Sequence, residues 1–382
     1  MNILHLISSG GFYGAESVVA ALAREQSRTH TVQVGVFENS HAPENRVAAE
    51  FEMRGIPVMR IPCRRRIDLR TVGHIRSIIW QKGIGLVHSH GYKADIYAHL
   101  AARRMSVPLI ATAHHWTGQT KAVRLYEFFD GLVLNSFHAV VAVSERIASE
   151  LRGAGVNPDK ITVIDNGINL ERFNAGTPAL RTELQQGNRL LIGTAGRLVS
   201  QKGISYFLEA AQRVLQEFPD VLFAVVGDGP EREALQQLAG NLGIQGNVAF
   251  LGARADMANV YASLDVFVLA SLAEGMPMAA LEALASGLPV VATDVGAVSR
   301  IIVPGQTGML VHPADSVELA QAVLCLLRDP ALRQRLARNG NARVHENFSS
   351  AIMARNYESV YEQLHAASAA PMKTTSMADQ RA

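Results

Sequence analysis

The chain has 382 residues, of which 48% are hydrophobic and 18% are charged, and its formal net charge is +2 at pH 7. This length suits two domains that each bury a core, and the composition is that of a globular enzyme, not a disordered or fibrous protein. A net charge so close to zero gives no reason to expect a nucleic-acid partner.

The cysteine content and the first residues predict a cytoplasmic protein. Cys63 and Cys325 are too few for a disulfide framework, so reduced thiols are expected. Residues 2–7 already have the pattern of a strand, so we expect no signal peptide before the fold. No uncharged apolar run reaches the roughly 18 residues of a membrane span. Peripheral attachment to the inner face of a membrane stays open.

The first 170 residues alternate short β-like runs with amphipathic segments, which is typical of a parallel, doubly wound sheet. The predicted strands cover residues 3–7, 31–37, 56–61, 86–88, 108–112 and 140–143. The predicted helices between them include residues 15–26, 69–81 and 93–104.

The alternation stops and then restarts in the second half. Residues 171–188 collect Gly, Pro, Asn and charge, which indicates a linker. We therefore predict an α/β protein with two Rossmann-like, doubly wound domains facing a cleft, over residues 1–170 and 189–350. A helix over 351–367 and a disordered tail over 368–382 complete the chain. The second set of predicted strands covers residues 190–194, 221–226, 248–251, 266–269 and 289–293.

The stretch EGMPMAALEALASGLPVVAT, from Glu274 to Thr293, predicts an acidic loop, a buried helix and a buried strand. Pro277 is favoured in the first turn of a helix, and Gly287 supplies a left-handed end. The helix is apolar almost all round, so Glu274 and Glu282 need partners there. The free N–H groups at its start offer a site for phosphate or sugar oxygens. The structural alternative is that Glu282 caps the helix or forms a local salt bridge.

A glycine loop, SSGGFYGAE, follows the first predicted strand. Gly10, Gly11 and Gly14 would let a ligand approach the backbone at the carboxyl edge of the sheet. Their spacing is GGxxG and not GxGxxG, which argues against a dehydrogenase with Glu38 on the cofactor ribose. A tight turn without a ligand is the other interpretation.

Histidines end two predicted strands, His88 and His90 in VHSH and His114 and His115 in TAHH. Strand alternation places His88 and His90 on one face. Such a group could bind zinc or supply an acid–base group. A complete ligand set is demanding and the nearest acid, Asp95, lies on the following helix, so the sequence favours no metal.

The segment GRLVSQKG places Arg197 and Lys202 five residues apart after a predicted strand. Two cations at a strand end can hold a pyrophosphate from two sides. The chain has no Asp-x-Asp triplet to hold a metal on that group, so positive side chains would neutralise a departing diphosphate. A pair of solvated surface cations is the alternative.

In combination, these segments resemble the retaining glycosyltransferases of the GT-B fold, glycosyltransferase family 4. The resemblance reaches to about residue 367, and two glutamates separated by seven residues are its most specific feature. It rests on the segments GRLVSQKG, VVGDGPERE, VAFLG, EGMPMAALEALASGLPVVAT and GMLVHPAD in the second half, and more loosely on SGGFYGAE, VHSHG, TAH, AVSERI and VIDNGINLERF in the first.

The resemblance implies a nucleoside-diphosphate-sugar as co-substrate, bound on the second domain, and transfer with retention of configuration and without an essential metal or other cofactor. The last helix would cross back to brace the first domain. The residue roles that it implies are Arg197 and Lys202 on the diphosphate, Glu282 on the ribose, Glu274 with Gly275, Met276 and Pro277 on the transferred sugar, Gly11 near the diphosphate, and His114 by the sugar near the acceptor.

One position departs from the family pattern. Where the family often has Gly-Gly-x-x-Glu, this chain has GAVSR, ending in Arg300. The charge is reversed there, so the family's contacts near this residue, and with them the donor preference, are not carried over.

The sequence thus predicts a glycosyltransferase with a carbohydrate or lipid-linked acceptor, acting in bacterial-type polysaccharide or glycolipid assembly. The alternatives are a nucleotide-sugar epimerase or phosphorylase on the same fold, and a non-catalytic sugar-nucleotide-binding subunit. Conversion of the donor without an acceptor would indicate an epimerase, and dependence on phosphate would indicate a phosphorylase. Absence of turnover with every donor would indicate a non-catalytic subunit.

An arginine cluster favours an anionic membrane surface as a further partner. Residues 1–175 hold 20 Lys and Arg against 15 Asp and Glu, and Asp68 is the only acid between Arg60 and Arg76. The alternative is a solvated basic turn before an ordinary helix. The arginines are Arg60, Arg64, Arg65, Arg66, Arg70 and Arg76, and the residues predicted to share one helical face beside them are Leu69, Val72, Ile75, Ile79 and Trp80.

Overall fold

The computed structural model describes residues 1–39, 47–65, 68–114, 131–185, 187 and 189–369, apart from the side chains of 367–369. The first domain contains a seven-stranded, parallel sheet in the order β3-β2-β1-β4-β5-β6-β7. The strands are β1 Asn2–Ile7, β2 Thr31–Asn39, β3 Val58–Cys63, β4 Leu86–His90, β5 Leu109–Ala113, β6 Ala139–Ala142 and β7 Ile161–Val163. The helices are α1 Gly14–Gln26, α2 Val47–Met53, α3 Leu69–Gln81, α4 Tyr92–Ala102 and α5 Glu145–Gly153.

The second domain contains a six-stranded, parallel sheet in the order β10-β9-β8-β11-β12-β13. The strands are β8 Leu191–Ala195, β9 Leu222–Val226, β10 Val248–Gly252, β11 Val266–Leu269, β12 Val290–Thr293 and β13 Met309–Val311. The helices are α6 Leu170–Asn174, α7 Ala179–Glu183, α8 Ile204–Leu215, α9 Arg232–Asn241, α10 Met257–Ser263, α11 Met278–Ala285, α12 Val298–Ile301, α13 Ser316–Arg328 and α14 Pro330–Asn347.

The predicted architecture of two Rossmann-like sheets is confirmed, with three differences in detail. The edge strands β7 and β13, of three residues each, were not predicted. The segment predicted as a linker instead forms α6 and α7, because Phe173 and Leu180 are buried in the core of the second domain. The predicted tail lies outside the described residues from 370 onward, and the final helix continues to Ala369.

The last helix, α15 Ser350–Ala369, packs on the first domain, as the resemblance implied. Its crossing is fixed by backbone bonds from the Ile168 amide to the Phe348 carbonyl (2.9 Å) and from the Ser350 amide to the Ile168 carbonyl (2.8 Å). A Cβ on Gly167 would lie 2.4 Å from the Ser349 carbonyl oxygen, so only glycine allows the chain segments to cross here.

Both sheets reverse their strand order at a point where ligands bind in open α/β folds. In the first domain this switch point lies between β1 and β4, and in the second between β8 and β11. The loops after β1 and β8 carry the glycine loop and the Arg197–Lys202 segment. Two of the predicted binding segments therefore lie at the positions that the topology favours.

Candidate active site

The loop after β8 holds its two cations in different environments. Arg197 is exposed, whereas Lys202 is partly buried at the end of the 3-10 turn Ser200–Lys202. Gly203 follows with a left-handed φ of 60°, and a Cβ there would lie 2.0 Å from the Ala270 carbonyl oxygen. This close approach fixes Lys202 beside the loop that leaves β11.

Glu274 lies on that second loop and is only 8% exposed. Its Oε1 atom accepts hydrogen bonds from the Lys202 ammonium (2.6 Å) and from the Ser271 hydroxyl (2.6 Å). A buried carboxylate needs such partners, and the two donors neutralise and orient it. The structure therefore brings Lys202 and Glu274 together across the switch point of the second sheet.

The loop from Gly275 to Pro277 lies where the two domains touch. A Cβ on Gly275 would lie 3.0 Å from the His114 carbonyl oxygen, so this glycine lets the two loops approach. Met276 is buried, and its sulfur accepts a hydrogen bond from the Asn166 amide (3.1 Å). Pro277 precedes α11, which begins at Met278 as the sequence indicated.

Glu282 lies in α11 and is partly exposed. Its Oε2 atom accepts a hydrogen bond from the Tyr261 hydroxyl (3.0 Å). Burial of the carboxyl raises its pKa to about 7, and the Tyr261 hydrogen bond and the charge of Arg172 oppose that rise. Among the described residues Glu282 forms no salt bridge, and the donor to its carboxyl is the neutral Tyr261 phenol.

The glycine loop of the first domain faces the second domain. A Cβ on Gly11 would lie 2.6 to 2.7 Å from atoms of the Tyr13 ring, so a side chain at this position would displace the outer end of that ring. The Arg197 guanidinium lies 5.9 Å from the centroid of the same ring. Tyr13 is 54% exposed, and its amide is held by the Glu16 carboxylate at 2.8 Å. Gly11 and Arg197 thus border one cleft.

The strand-end histidines form a buried cluster that includes one residue the sequence did not single out. Parallel pairing of β1 with β4 sets His5 opposite His88. His90 Nε2 lies 3.0 Å from His5 Nδ1, and His90 Nδ1 lies 3.1 Å from His114 Nε2. His88 instead lies 2.7 Å from both the Tyr361 hydroxyl and the Thr112 hydroxyl. His115 lies outside the described residues.

The nitrogens of His5, His88 and His90 lie close enough together for a metal ion, within 4.8 Å of one another. However, both ring nitrogens of each of these three histidines lie within hydrogen-bond distance of a side chain. A metal ion would have to replace those hydrogen bonds, because a zinc ligand needs a nitrogen that is free to coordinate. The described contacts of these three rings are those of a hydrogen-bonded cluster.

A pocket of about 300 Å³ opens at the switch point of the first sheet. It is bordered by charged or polar groups on α1, β4 and α4, and by His114 after β5. A larger depression of about 470 Å³ lies between α8 and α13. Its lining residues lie on or next to these helices, and none lies at the carboxyl end of a strand. The polar residues that line the smaller pocket include Ser8, Glu16, His90, Lys93, Asp95 and His114.

The arginine cluster is less uniform than the sequence indicated. Arg60 pairs with Glu38 (2.9 Å) and Glu52 (3.0 Å), so its charge is balanced locally, and Glu38 is occupied by this pair. Arg76 donates to backbone carbonyls at the end of α4. Arg66 lies outside the described residues.

The apolar residues predicted to share one face of α3 divide between the core and the surface. Val72, Ile75 and Ile79 are buried, but Leu69 is 75% exposed and Trp80 is 78% exposed. These two residues are separated by eleven positions, or about three helical turns, so they project from one side of α3 about 16 Å apart. Trp80 and Leu69 therefore belong to the outer surface and not to the core.

The departure at Arg300 has a structural counterpart. The Arg300 guanidinium pairs with the Asp165 carboxylate at 2.5 Å, just before the crossing at Gly167. This ion pair joins α12 of the second domain to the segment that leaves the first domain. It gives the reversed charge a partner within the chain.

Several residues of the site were not singled out from the sequence, and four of them illustrate why. Ser271 and Tyr13 follow strands, so the rule that ligands meet strand ends would have found them. His5 lies inside β1 and Gln26 ends α1, and their polarity within apolar segments is the available signal.

Both halves of the chain match known protein families. Residues 178–343 match the family described as Glycosyl transferases group 1, and residues 12–172 match Glycosyltransferase Family 4. A D-inositol 3-phosphate glycosyltransferase of Corynebacterium diphtheriae is 32% identical, over 92% of this chain and 90% of that protein. A UDP-Gal:alpha-D-GlcNAc-diphosphoundecaprenol alpha-1,3-galactosyltransferase of Escherichia coli is 29% identical, over 69% and 72%.

Among solved structures, the Anabaena protein HepE in complex with UDP-glucose has a TM-score of 0.85 and 24% identity, covering 95% of this chain and all of that one. Within the described residues, no helix is both long and apolar enough to cross a membrane. The two matched families, the relative above 30% identity and the pair of facing Rossmann-like domains agree with the motifs of the sequence. The chain belongs to glycosyltransferase family 4 and is a glycosyltransferase of the GT-B fold.

Proposed function

We propose that this enzyme transfers a sugar from a nucleoside-diphosphate-sugar to a carbohydrate or lipid-linked acceptor, with retention of anomeric configuration, in polysaccharide or glycolipid assembly. The observation that carries the proposal is the buried Glu274 carboxylate, held by Lys202 at the switch point of the second sheet, with the exposed Arg197 earlier in the loop that carries Lys202. The UDP-glucose complex of the Anabaena protein and the name of the E. coli relative support a nucleotide-sugar donor.

In this proposal the second domain holds the donor. An ammonium group has three N–H donors, so Lys202 can bond Glu274 and a diphosphate oxygen at the same time. Arg197 approaches the diphosphate from the cleft side, near Gly11. Glu274 and the loop Gly275–Pro277 contact the sugar, and Glu282 accepts hydrogen bonds from the ribose with the oxygen that Tyr261 leaves available.

The reaction proposed is attack by an acceptor hydroxyl on the face of the anomeric carbon that the diphosphate leaves. The bond between the anomeric carbon and the diphosphate oxygen breaks, the new glycosidic bond forms, and the hydroxyl proton passes to the diphosphate. Arg197 and Lys202 stabilise the charge that develops on the leaving group, so no metal is needed. His114 lies by the sugar at the acceptor side.

The acceptor would occupy the pocket of about 300 Å³ in the first domain, next to His114. The name of the E. coli relative describes a sugar carried on diphosphoundecaprenol, which supports a lipid-linked acceptor class. Such an acceptor would require the enzyme to work at a membrane surface.

The outer side of α3 fits an anionic membrane surface. The helix contains no acid, and its exposed ends are Leu69 and Trp80. Tryptophan is favoured at membrane–water interfaces, and each basic residue near an anionic surface contributes about 1 kcal/mol. Exposed arginines of this side and of the adjoining end of α4 are Arg64, Arg65, Arg70, Arg103 and Arg104.

Thermal-shift measurements with UDP-, GDP- and ADP-sugars test the donor site. A ligand that binds only the folded protein at about 100 times its Kd adds about 2.7 kcal/mol of stability, so the true donor class should raise Tm. Glu282→Ala should reduce that shift, and Glu217→Ala, an exposed acid of the same domain, should not. No shift with any nucleotide sugar, or an unchanged shift in Glu282→Ala, would contradict the donor assignment.

A further inference from the structure

The most unusual feature of the first domain is a file of three imidazoles that leads from α1 to the candidate active site. Gln26 Oε1 lies 2.8 Å from His5 Nε2, His5 Nδ1 lies 3.0 Å from His90 Nε2, and His90 Nδ1 lies 3.1 Å from His114 Nε2. His5 and His90 each use one ring nitrogen for the preceding residue of the file and the other for the next residue. Gln26 and His5 are 2% and 0% exposed, and they lie behind the pocket that His90 and His114 border.

We infer that Gln26, through His5 and His90, determines which nitrogen of His114 carries its proton, so that these three are positioning residues for the active-site histidine. The inference deepens the proposed function and rests on it only for the role of His114 beside the sugar.

The order of protons follows from the chemistry of neutral imidazole, which has one N–H donor and one acceptor nitrogen. Burial lowers the pKa of His5 to about 4 and lowers the pKa of His90 well below its ordinary value, so both rings are neutral near pH 7. Two N–H groups cannot face each other across 3.0 Å without leaving a buried donor unsatisfied. Only two proton orders are therefore compatible with the file.

Gln26 selects one of these two orders. Its Oε1 atom can only accept, so His5 donates from Nε2 and accepts at Nδ1. His90 must then donate from Nε2 to His5 and accept at Nδ1, which requires His114 to donate from Nε2. Nδ1 of His114 is left as an acceptor nitrogen, suited to a hydroxyl donor of a sugar. The opposite order would make Nδ1 a donor.

His88 provides a matched comparison. It is buried in the same cluster, with its ring centroid 4.2 Å from that of His90. Its nitrogens are held by Tyr361 and Thr112, so it lies outside the file. Replacement of His88 perturbs packing around His90 without removing any hydrogen bond of the file.

Nitrogen-15 NMR of histidine-labelled, ligand-free protein tests the inference, because donor and acceptor nitrogens of neutral imidazole give well separated signals. The His114 signals are assigned by their loss in His114→Asn. Wild type should have Nε2 protonated and Nδ1 unprotonated. Gln26→Met should give a mixture of both tautomers, whereas Gln26→Glu, which keeps an acceptor oxygen, and His88→Asn should keep the wild-type tautomer.

The opposite His114 tautomer in wild type would overturn the inference, and so would an unchanged tautomer in Gln26→Met. The same holds for coordination of added zinc by His5 and His90 at one equivalent, since a metal would occupy the nitrogens on which the file depends. Because the spectra need no substrate, they separate this inference from the proposed function. Once a donor is known, Gln26→Met should lower kcat by about tenfold or more, as loss of a tautomer-selecting partner does in serine proteases.

Discussion

At the scale of single residues, the site depends on a carboxylate and an ammonium that would each be costly to bury alone. Glu274 is held by Lys202 and Ser271, and the pair lies where strand order reverses. Sequence reasoning identified both residues by type and position. It could not identify their mutual contact, because 71 residues separate them and the distance depends on how two loops fold against each other.

Glu274→Gln should lower turnover far more than it weakens nucleotide binding. The change keeps the shape of the side chain and removes the charge that we place against the sugar, so the loss should be about 2–4 kcal/mol of transition-state stabilisation. Steady-state kinetics with the donor, together with a nucleotide Kd from calorimetry, measure the two effects. Glu217→Gln serves as the control, and full activity of Glu274→Gln would remove Glu274 from the site.

The raised pKa of Glu282 predicts a pH-dependent effect on stability. The folded protein holds this proton up to about pH 7, whereas the unfolded chain releases it near the ordinary value of 4.5. Between these values the folded state binds more protons, so the contribution of Glu282 to stability falls as pH rises.

Glu282→Gln should therefore raise Tm at about pH 8 and change it little near pH 4.5, because the amide cannot ionise but still accepts from Tyr261. Melting of ligand-free protein at both pH values measures this. Glu217→Gln is the control of opposite sign, since Arg328 lowers the pKa of Glu217 and its loss should not stabilise the protein. A lower Tm of Glu282→Gln at the higher pH would show that the ionised carboxylate stabilises the fold.

At the scale of elements, the sequence predicted strands and helices wherever a segment was long enough to show a periodic pattern of apolar residues. Helix α3 was predicted with its observed bounds, and α11 from its apolar surface and its flanking proline and glycine. The helices α6 and α7 were missed, because five residues are too few for a helical stripe and their apolar anchors resemble those of a loop. The same limit applies to the edge strands of three residues.

The outer side of α3 was predicted in part. A helical projection groups Leu69 and Trp80 with the buried residues, yet both lie near the ends of the helix, beyond the sheet-facing core. The set of arginines on the basic surface also changed, since Arg60 is paired within the first domain and the exposed arginines that follow α4 join it. Only the packing of α3 against α4 reveals that neighbourhood.

Liposome co-sedimentation tests whether this surface binds anionic membranes. The protein should sediment with anionic but not with neutral vesicles, and added salt should release it, because the attraction is screened within about 10 Å at 0.1 M salt. Changing Arg64, Arg65 and Arg70 to Ser, or Trp80 to Ser, should reduce binding. The control changes Arg335 and Arg338, exposed arginines of α14, to Ser. Equal recovery with both lipids, or no effect of the α3 variants, would favour an acceptor in solution.

At the scale of the whole molecule, two sheets bring their switch points to one cleft and a final helix ties the second domain to the first. The ion pair between Arg300 and Asp165 lies at this junction, together with the glycine crossing at Gly167. The sequence indicated two domains and a returning helix. It could not indicate that Arg300 reaches the junction, because the partner lies 135 positions earlier and depends on the relative placement of the domains.

Turnover should survive removal of divalent metal ions. In the proposed reaction Arg197 and Lys202 supply positive charge at the diphosphate, and the buried histidines use their nitrogens for hydrogen bonds. Activity is therefore expected to be equal before and after dialysis against EDTA. Loss of activity that a divalent ion restores would require a metal site.

The central claim is tested most directly by the products of the reaction, formed with the donor that the thermal-shift measurements identify. Proton NMR of a reaction with donor and a carbohydrate or lipid-linked acceptor should show one nucleoside diphosphate released for each new glycosidic bond, with the anomeric configuration of the donor retained. Conversion of the donor to another nucleotide sugar without acceptor would indicate an epimerase, and a requirement for inorganic phosphate a phosphorylase. Either result, or a product of inverted configuration, would contradict the proposed reaction.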